Sequence, residues 1–338
     1  MSNQKDKLFS RNLKEFINAI RAGKEKETAR AISLLENNDP LSRKIMQQFY
    51  QNYNKPYIIG ITGPAGSGKS SLLNLILKKM SKKSGKKIAV IAVDPSSQKS
   101  GGAFLGDRIR MKELIKAPNI FIRSMASRGS FGGVNAAVYD TALILAAAGY
   151  QKIFIETVGV GQTEIDIVSL ADTTLVVTVP GAGDEIQIFK SELMEVGDIF
   201  ILNKSDLPQA AKMEILIKSL FSLKKGTSSG ILKSRSLDSS WQNILLKTST
   251  LNQQGIDDLI KEIENHYNYL KKNHILDKNK KEQLKKHLLN LMQSKITEKL
   301  LFKFNQDEDL EKKLARILKG ETTPYQLVEQ FIENNLNI

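Results

Sequence analysis

Apolar residues recur at helical spacing through the first 50 residues of the chain. Leu13, Phe16, Ile17 and Ile20 share one predicted helical face, and an Asp-Pro pair at 39–40 interrupts the pattern. From residue 57 onward, short apolar runs alternate with amphipathic helices. These runs predict strands at residues 57–61, 88–93, 120–122, 152–155, 174–179, 199–202 and 244–246. Apolar strands that alternate with helices indicate an α/β fold with a mostly parallel central sheet, buried on both faces.

The strand pattern stops after about residue 265. Leu284, Leu288, Met292 and Ile296 then mark one helical face, and shorter helices are predicted near residues 310–318 and 324–332. Residues 224–240, rich in Lys, Ser and Gly, predict a surface loop before the last strand. We therefore divide the chain into an N-terminal helical segment (1–54), a central domain (55–265) and a C-terminal helical arm (266–338).

Composition excludes several kinds of chemistry. The 338 residues include no cysteine, which rules out disulfides, thiolate zinc sites, iron–sulfur clusters and a cysteine nucleophile. The N-terminus lacks the apolar stretch of a signal peptide, and no apolar run reaches the roughly 18 residues of a membrane span. A cytoplasmic protein is expected.

The formal net charge of +14 raises the question of a polyanionic partner. The densest run without acidic residues is Lys78, Lys79, Lys82, Lys83, Lys86 and Lys87. It falls at the predicted end of a helix, where cations face the negative end of the helix dipole, and no aromatic residues alternate with it to stack on bases. A solvated face is preferred to a polyanion-binding patch, so neither nucleic acid nor membrane is expected as a partner.

A glycine-rich motif joins the first predicted strand to a helix. It comprises Gly63, Pro64, Ala65, Gly66, Ser67, Gly68, Lys69 and Ser70, and fits the P-loop pattern G-x-x-x-x-G-K-[ST] in full. The glycines let backbone N–H groups turn toward phosphate oxygens at a helix N-terminus. Lys69 would reach the β- and γ-phosphates, and the Ser70 hydroxyl would ligate Mg²⁺. We predict that this motif and the following Ser71 bind a nucleotide.

A second motif selects the base. Asn203-Lys204-Ser205-Asp206 follows a predicted strand and matches the N-K-x-D pattern of GTPases. The Asp206 carboxylate can accept hydrogen bonds from N1–H and the amino group of guanine, which adenine cannot offer; such a site discriminates by roughly 10⁴-fold. After the last strand, a backbone N–H in Thr248-Ser249-Thr250-Leu251 would contact guanine O6, with a plain helix cap at or near Asp257 as the alternative.

Three acidic residues between these motifs are candidates for a magnesium site. Asp94 and Glu156 each follow a predicted strand, and Asp107 lies in a glycine-rich segment, where it could instead cap a loop. Mg²⁺ usually takes one or two carboxylates together with phosphate oxygens and water. We expect Ser70, Asp94, Asp107 and Glu156 to surround the metal, with Lys69, Glu156 and Asp94 as catalytic residues.

The motifs P-loop, VDPSS, LGDRIRM, ETVGVGQTE, VPGAGDEIQIFK and NKSD, in this order, closely resemble the methylmalonyl-CoA mutase-associated (MeaB-like) GTPases. The resemblance runs over most of the chain and implies a P-loop G domain and a homodimer held by the C-terminal arm. It also implies a chaperone of an adenosylcobalamin-dependent methylmalonyl-CoA mutase. Such a chaperone uses GTP to gate cofactor delivery from an adenosyltransferase and to protect or reactivate the mutase.

The resemblance also assigns residues. It places Asp94, Asp107 and Glu156 around the magnesium ion, and matches the segment from Gly181 through Gly183 and Asp184 to Lys190 with a mobile switch that senses the mutase. A bland surface turn is the alternative for this segment. Ser67 and Gln98 depart from the family pattern, which often has Ala and Pro there.

Hydrolysis lacks an obvious water-positioning group, because Gln162 lies three residues beyond Gly159 rather than directly after it. We expect slow intrinsic turnover that a partner accelerates by ordering switch residues such as Arg110 or Lys190. The three histidines, His266, His274 and His287, are expected on helix surfaces rather than as metal ligands.

Three other function classes remain as alternatives. A nickel-insertion GTPase would share the fold class but needs a metal-transfer site, usually rich in His and Cys. A targeting GTPase would suit the positive charge, but no Met-rich signal-binding domain is present. A P-loop kinase linked to amino-acid transport would need an acceptor-binding element.

Overall fold

The computed structural model describes residues 2–51, 56–94, 117, 119–126, 133–157, 170–181, 197–226, 241–307 and 309–336. The strands are β1 (Tyr57–Thr62), β2 (Ile88–Asp94), β3 (Ile120–Ala126), β4 (Lys152–Thr157), β5 (Thr173–Thr178), β6 (Ile199–Leu202) and β7 (Ile244–Lys247). The helices are α1 (Ser2–Arg21), α2 (Glu25–Glu36), α3 (Pro40–Gln51), α4 (Lys69–Ser84), α5 (Gly133–Ala147), α6 (Ala210–Gly226), α7 (Ile256–Lys272), α8 (Ile275–Asn305), α9 (Leu310–Leu318) and α10 (Pro324–Leu336).

The seven strands form one sheet in the order β3-β2-β4-β1-β5-β6-β7. Every neighbouring pair is parallel. All residues of β1 and β5 are buried, as expected where helices cover both faces of a sheet. The predicted α/β fold with a parallel central sheet is therefore confirmed, and each predicted strand is present within a few residues of its expected bounds.

Two hydrophobic cores lie on opposite faces of the sheet because successive strand residues point in opposite directions. Ile58 belongs to the core formed with α1, α2, α3 and α5. Its neighbours Ile59 and Ile61 belong to the core formed with α4 and α7. The N-terminal helices thus cover one face of the sheet, and the helix that follows the P-loop covers the other.

Since all strands run parallel, their carboxyl ends meet at one edge of the sheet. The P-loop follows β1 there, Asp94 ends β2, and Glu156 lies near the end of β4. Register places Ile61 of β1 and Ala92 of β2 beside Glu156. Ligands of open parallel sheets bind at this edge, so the fold brings the sequence motifs together where a nucleotide is expected.

The C-terminal arm is helical, as predicted. Its long helix α8 buries Lys280, Gln283 and His287. The apolar row recognised in the sequence lies on the exposed side instead, with Leu288 54% and Met292 58% exposed. Within the described ranges, no helix combines the length and apolar character needed to cross a membrane. The proposed division of the chain at residues 54 and 265 stays a prediction.

The predicted loop at residues 224–240 begins later than expected, since α6 continues to Gly226. Residues 227–240 lie outside the described residues.

Candidate nucleotide-binding site

The P-loop backbone depends on glycine at two positions. Gly63 has φ of 140°, and a Cβ added there would overlap the backbone carbonyl oxygen of Val177 on β5. Gly68 precedes α4 with φ of 86°, and a Cβ there would come within 2.5 Å of the Asn203 side-chain nitrogen. Both positions need the positive φ and the small size of glycine. The loop is therefore held close to β5 and to the NKSD segment.

Lys69 and Ser70 are the first residues of α4 and directly follow the loop. Lys69 is buried, and its Nζ donates hydrogen bonds to the carbonyl oxygens of Gly63 at 2.7 Å and Pro64 at 3.0 Å. The Ser70 hydroxyl donates to Oε1 of Glu156 at 2.6 Å. Glu156 is itself buried at the end of β4. An ammonium group, a hydroxyl and a carboxylate thus converge at the start of one helix.

Asn203 links the predicted base-recognition segment to the P-loop. Its Nδ2 donates to the carbonyl oxygen of Ser67 at 2.9 Å, and its Oδ1 accepts from the Thr248 hydroxyl at 3.1 Å. Thr248 opens the predicted base-contacting segment, but its side-chain contact with Asn203 was not predicted, because only a backbone role was expected there. Asp206 is exposed at the same edge, and Lys204 adopts φ of 54°. Because Asp206 is exposed, its carboxylate is accessible to a ligand.

The segment after β7 forms a closed turn at the same edge. Ser249 and Gln254 form an antiparallel bridge, with backbone hydrogen bonds of 3.2 and 3.1 Å. The Ser249 hydroxyl accepts the backbone N–H of Asn252 at 3.2 Å. Leu251 at the tip is 81% exposed. The turn presents backbone groups and one apolar side chain next to the NKSD segment.

Comparison with known proteins gives the family. Residues 28–305 match the family model described as methylmalonyl Co-A mutase-associated GTPase MeaB. A putative GTPase of Pyrococcus abyssi is 37% identical over 94% of this chain and 95% of its own length. The chain belongs to the MeaB family. It is accordingly a P-loop GTPase, and the family resemblance drawn from the sequence motifs is confirmed.

Two further relatives of this MeaB-family chain cover most of its length. A mitochondrial protein of Caenorhabditis elegans named methylmalonic aciduria type A homolog is 28% identical over 84% of this chain and 73% of its own. A crystal structure of a LAO/AO transport system kinase superposes with a TM-score of 0.66 at 25% identity, covering 95% of this chain and 96% of that one.

The donor set of this MeaB-family site suits a hard divalent cation. Ser70 and Glu156 supply a hydroxyl and a buried carboxylate in direct contact, which are oxygen ligands of the kind that Mg²⁺ prefers. Asp94 ends the neighbouring strand β2. Within the described ranges no group of three or more His, Cys, Asp or Glu residues could hold a metal ion.

Several predicted site residues of the MeaB-family chain fall outside the described ranges. They are Asp107, Arg110, Gly183, Asp184 and Lys190, together with Gln162. Gly181 is described and follows β5 with φ of 75°. The switch assignment therefore stays a prediction, as do the binding and catalytic roles of the described site residues.

The prediction that all three histidines lie on helix surfaces is wrong for two of them. His266 and His287 are each 2% exposed, whereas His274 is exposed. His266 makes a 2.7 Å hydrogen bond between Nδ1 and the Thr173 hydroxyl, and burial lowers its pKa to about 4. It shares the buried face of α7 with Leu259, Ile263 and Leu270, so helical spacing would have identified it.

Proposed function

We propose that this GTPase is a Mg²⁺-dependent chaperone of an adenosylcobalamin-dependent methylmalonyl-CoA mutase. In this role it gates cofactor delivery from an adenosyltransferase and protects or reactivates the mutase. The match of residues 28–305 to the mutase-associated family carries the proposal. The name of the Caenorhabditis elegans relative, a methylmalonic aciduria type A homolog, points to the same metabolic step.

The contacts of the P-loop suggest how GTP binds. The phosphates would draw the Lys69 ammonium away from the carbonyl oxygens of Gly63 and Pro64, where it now donates. The P-loop N–H groups and the N-terminus of α4 would hold the phosphate oxygens. The base would lie over the exposed Asp206, with the Ser249–Leu251 turn beside it. The residues predicted from the motifs would then surround one nucleotide.

A magnesium ion would be held by Ser70 and Glu156, with Asp94 and Asp107 nearby. When bound, it supplies positive charge to the phosphate oxygens as negative charge shifts toward the β-phosphate. Water attacks the γ-phosphorus, the bond to the β–γ bridging oxygen breaks, and GDP and phosphate leave. Lys69 would stabilise the charge that develops on these oxygens. We infer that a partner completes the site by ordering Arg110 or Lys190.

The exposed apolar side chains of the C-terminal arm support a proposed homodimer. Most large exposed hydrophobic side chains of the described residues lie between positions 284 and 332. The others among the described residues are Leu207, Ile215 and Leu251. Contiguous apolar surface of this kind usually marks an interaction site. We propose that the exposed row of α8 packs against the same row of a second copy, forming a two-fold interface.

The experiment is GTP turnover by the purified protein, with and without a methylmalonyl-CoA mutase. We expect slow turnover alone and at least about tenfold acceleration by the mutase, since a partner-supplied cation can accelerate hydrolysis by several orders of magnitude. The Asp206→Asn variant should lower both rates at limiting GTP by about tenfold or more. Turnover that is fast alone and unchanged by the mutase would contradict the chaperone proposal.

A kinase tied to amino-acid transport is the second candidate, because the solved relative carries that name. Phosphoryl transfer from GTP to an amino acid or a transport protein, assayed in the same preparation, would favour it over the chaperone role.

A further inference from the structure

Helix α8 has an inverted distribution of polar and apolar residues. A helix on a protein surface normally buries its apolar side and exposes its polar side. In α8 the buried residues are Lys280, Gln283 and His287, three polar side chains at spacings of three and four. The apolar row of Leu284, Leu288, Met292 and Ile296 is exposed. The helix is therefore attached to the rest of the protein through its polar side.

The first attachment point is the carboxylate of Asp172, just before β5. Its Oδ2 accepts hydrogen bonds from Nζ of Lys280 at 2.7 Å and from the backbone N–H of Ile58 at 2.8 Å. Its Oδ1 accepts from Nε2 of Gln283 at 3.2 Å. The side chains of Lys280 and Asp172 are 6% and 0% exposed. Lys280 is thus the ammonium partner of a fully buried carboxylate that also binds the start of β1.

The second attachment point is Asp140 on α5. Nε2 of His287 lies 3.1 Å from its Oδ1. The imidazole ring also stacks on Tyr139, with centroids 4.4 Å apart and planes inclined by 28°. Asp140 and His287 are both buried. Two buried carboxylates of the central domain therefore face two basic side chains of the arm, Lys280 and His287, which lie about two turns apart on the same side of α8.

We propose that Lys280, Gln283 and His287 select which side of α8 packs on the central domain, and so keep the apolar row exposed. If α8 turned about its axis to bury Leu284 and Leu288, leucine side chains would replace the donors Lys280 and Gln283 beside Asp172 and the His287 imidazole beside Asp140. The buried Asp172 carboxylate would keep the Ile58 N–H but lose the ammonium group that balances its charge, which is strongly unfavourable, so the inward apolar arrangement is disfavoured. The exposed row is then available to a second copy of the chain, a consequence that rests on the proposed homodimer.

Cysteine labelling can test this rotation, because the chain contains no native cysteine. One reporter, Asn290→Cys, lies half-buried beside the polar row of α8, and the other, Leu288→Cys, lies on the exposed side. Each reporter is combined with Lys280→Met, which removes the ammonium group. The matched control is Lys281→Met at the adjacent exposed position, and Lys280→Arg restores the charge. Maleimide labelling rates are measured over a dilution series of the full chain, with GDP binding as the check on folding.

At the lowest concentration we expect Lys280→Met to raise labelling at position 290 and to lower it at position 288, each by about threefold or more. Lys281→Met and Lys280→Arg should leave both rates unchanged. Unchanged rates in Lys280→Met would overturn the proposal. A rise in labelling at both positions would also overturn the proposal, because the Lys280–Asp172 pair would then only tether the arm without selecting its packed side. If Lys280→Met does not bind GDP, Lys280→Gln replaces it with the same expectations.

The two proposals fail in different ways. A homodimer predicts that labelling of Leu288→Cys without further changes slows as the protein concentration rises. A labelling rate that does not depend on concentration would contradict the homodimer. The effect of Lys280→Met at low concentration would still test whether the polar residues select the packed side of α8.

Discussion

The side-chain amide of Asn203 donates a hydrogen bond to the backbone carbonyl of Ser67, so the predicted base-binding and phosphate-binding segments are joined directly. The other end of the same amide accepts the hydroxyl hydrogen of Thr248. All three residues are fully buried. The three segments of the site are thus connected through one side chain, and the connection can be weakened from a residue that need not touch the nucleotide.

Thr248→Val should destabilise the protein and weaken GDP binding. Valine keeps the shape but leaves Oδ1 of the buried Asn203 without this donor, which costs about 1–3 kcal/mol. Denaturant unfolding and calorimetric titration with GDP would measure both effects. Thr62→Val is the matched control, because the Thr62 hydroxyl is buried without a hydrogen-bond partner. Equal stability of the two variants would contradict the importance of this connection.

Alanine at Gly63 should be far more harmful than alanine at Gly66. Both glycines have positive φ, which costs a residue with a Cβ about 1–2 kcal/mol. At Gly63 the new Cβ would also overlap the backbone of Val177, which cannot move aside, whereas no atom lies within 4 Å at Gly66. Melting temperatures of Gly63→Ala and Gly66→Ala, compared with the wild type, would measure the difference. Similar losses would mean that φ alone matters.

Asp206→Asn should reduce the preference for guanine. The neutral amide replaces a charged acceptor by a weaker one, and hydrogen bonds to charged groups contribute about 1.5–3 kcal/mol, so GDP affinity should fall at least about tenfold. Titration with GDP and ADP in Mg²⁺ buffer would measure it, with the exposed Asp258→Asn as control. If the wild type bound ADP as tightly as GDP, the NKSD motif would not read the base.

The strands and the nucleotide motifs could be predicted from sequence because each is encoded in a short contiguous segment. The six residues of β1 are buried on both faces, which requires a continuous apolar run that is visible without knowledge of the fold. Gly63 to Ser70 likewise form one uninterrupted segment, a loop that leads into the first residues of α4. Such features depend on neighbours in the chain, so pattern and structure agree.

Features that depend on distant residues could not be predicted in this way. The periodicity of Leu284, Leu288 and Met292 shows that they share a helical face, but it does not show which side the protein covers. That side is set by Asp172, 108 residues away from Lys280, and nothing local to either residue records the pair. Buried polar contacts of this kind become visible only when the elements are assembled.

Glu156→Gln and Ser70→Ala should raise the Mg²⁺ concentration needed for GTP hydrolysis. Ser70→Ala removes an oxygen ligand proposed for the metal, and Glu156→Gln replaces a charged oxygen ligand with a neutral one. Nucleotide binding without Mg²⁺ should persist in both through the P-loop N–H groups. Turnover measured against Mg²⁺ concentration would give the shift. Ser71→Ala, at the adjacent exposed position, changes a predicted nucleotide contact but no metal ligand, so it should leave the Mg²⁺ dependence unchanged and is the control for Ser70→Ala. An unchanged Mg²⁺ dependence in both variants would contradict the proposed metal site.

His266 should make the protein less stable as the pH falls from about 6.5 to about 4. Burial lowers the pKa of this imidazole from 6.5 to about 4, so between these values the unfolded chain binds a proton that the folded chain does not. Stability therefore rises with pH across this window, and the total gain in the free energy of unfolding from this residue is up to about 3 kcal/mol. Below about pH 4 the residue causes no further change in stability. Denaturant unfolding at pH 4.5 and pH 7 would compare the wild type with His266→Gln, in which this part of the pH dependence should disappear. The exposed His274→Gln should retain it, and a pH dependence that survives in His266→Gln would assign the effect to other groups.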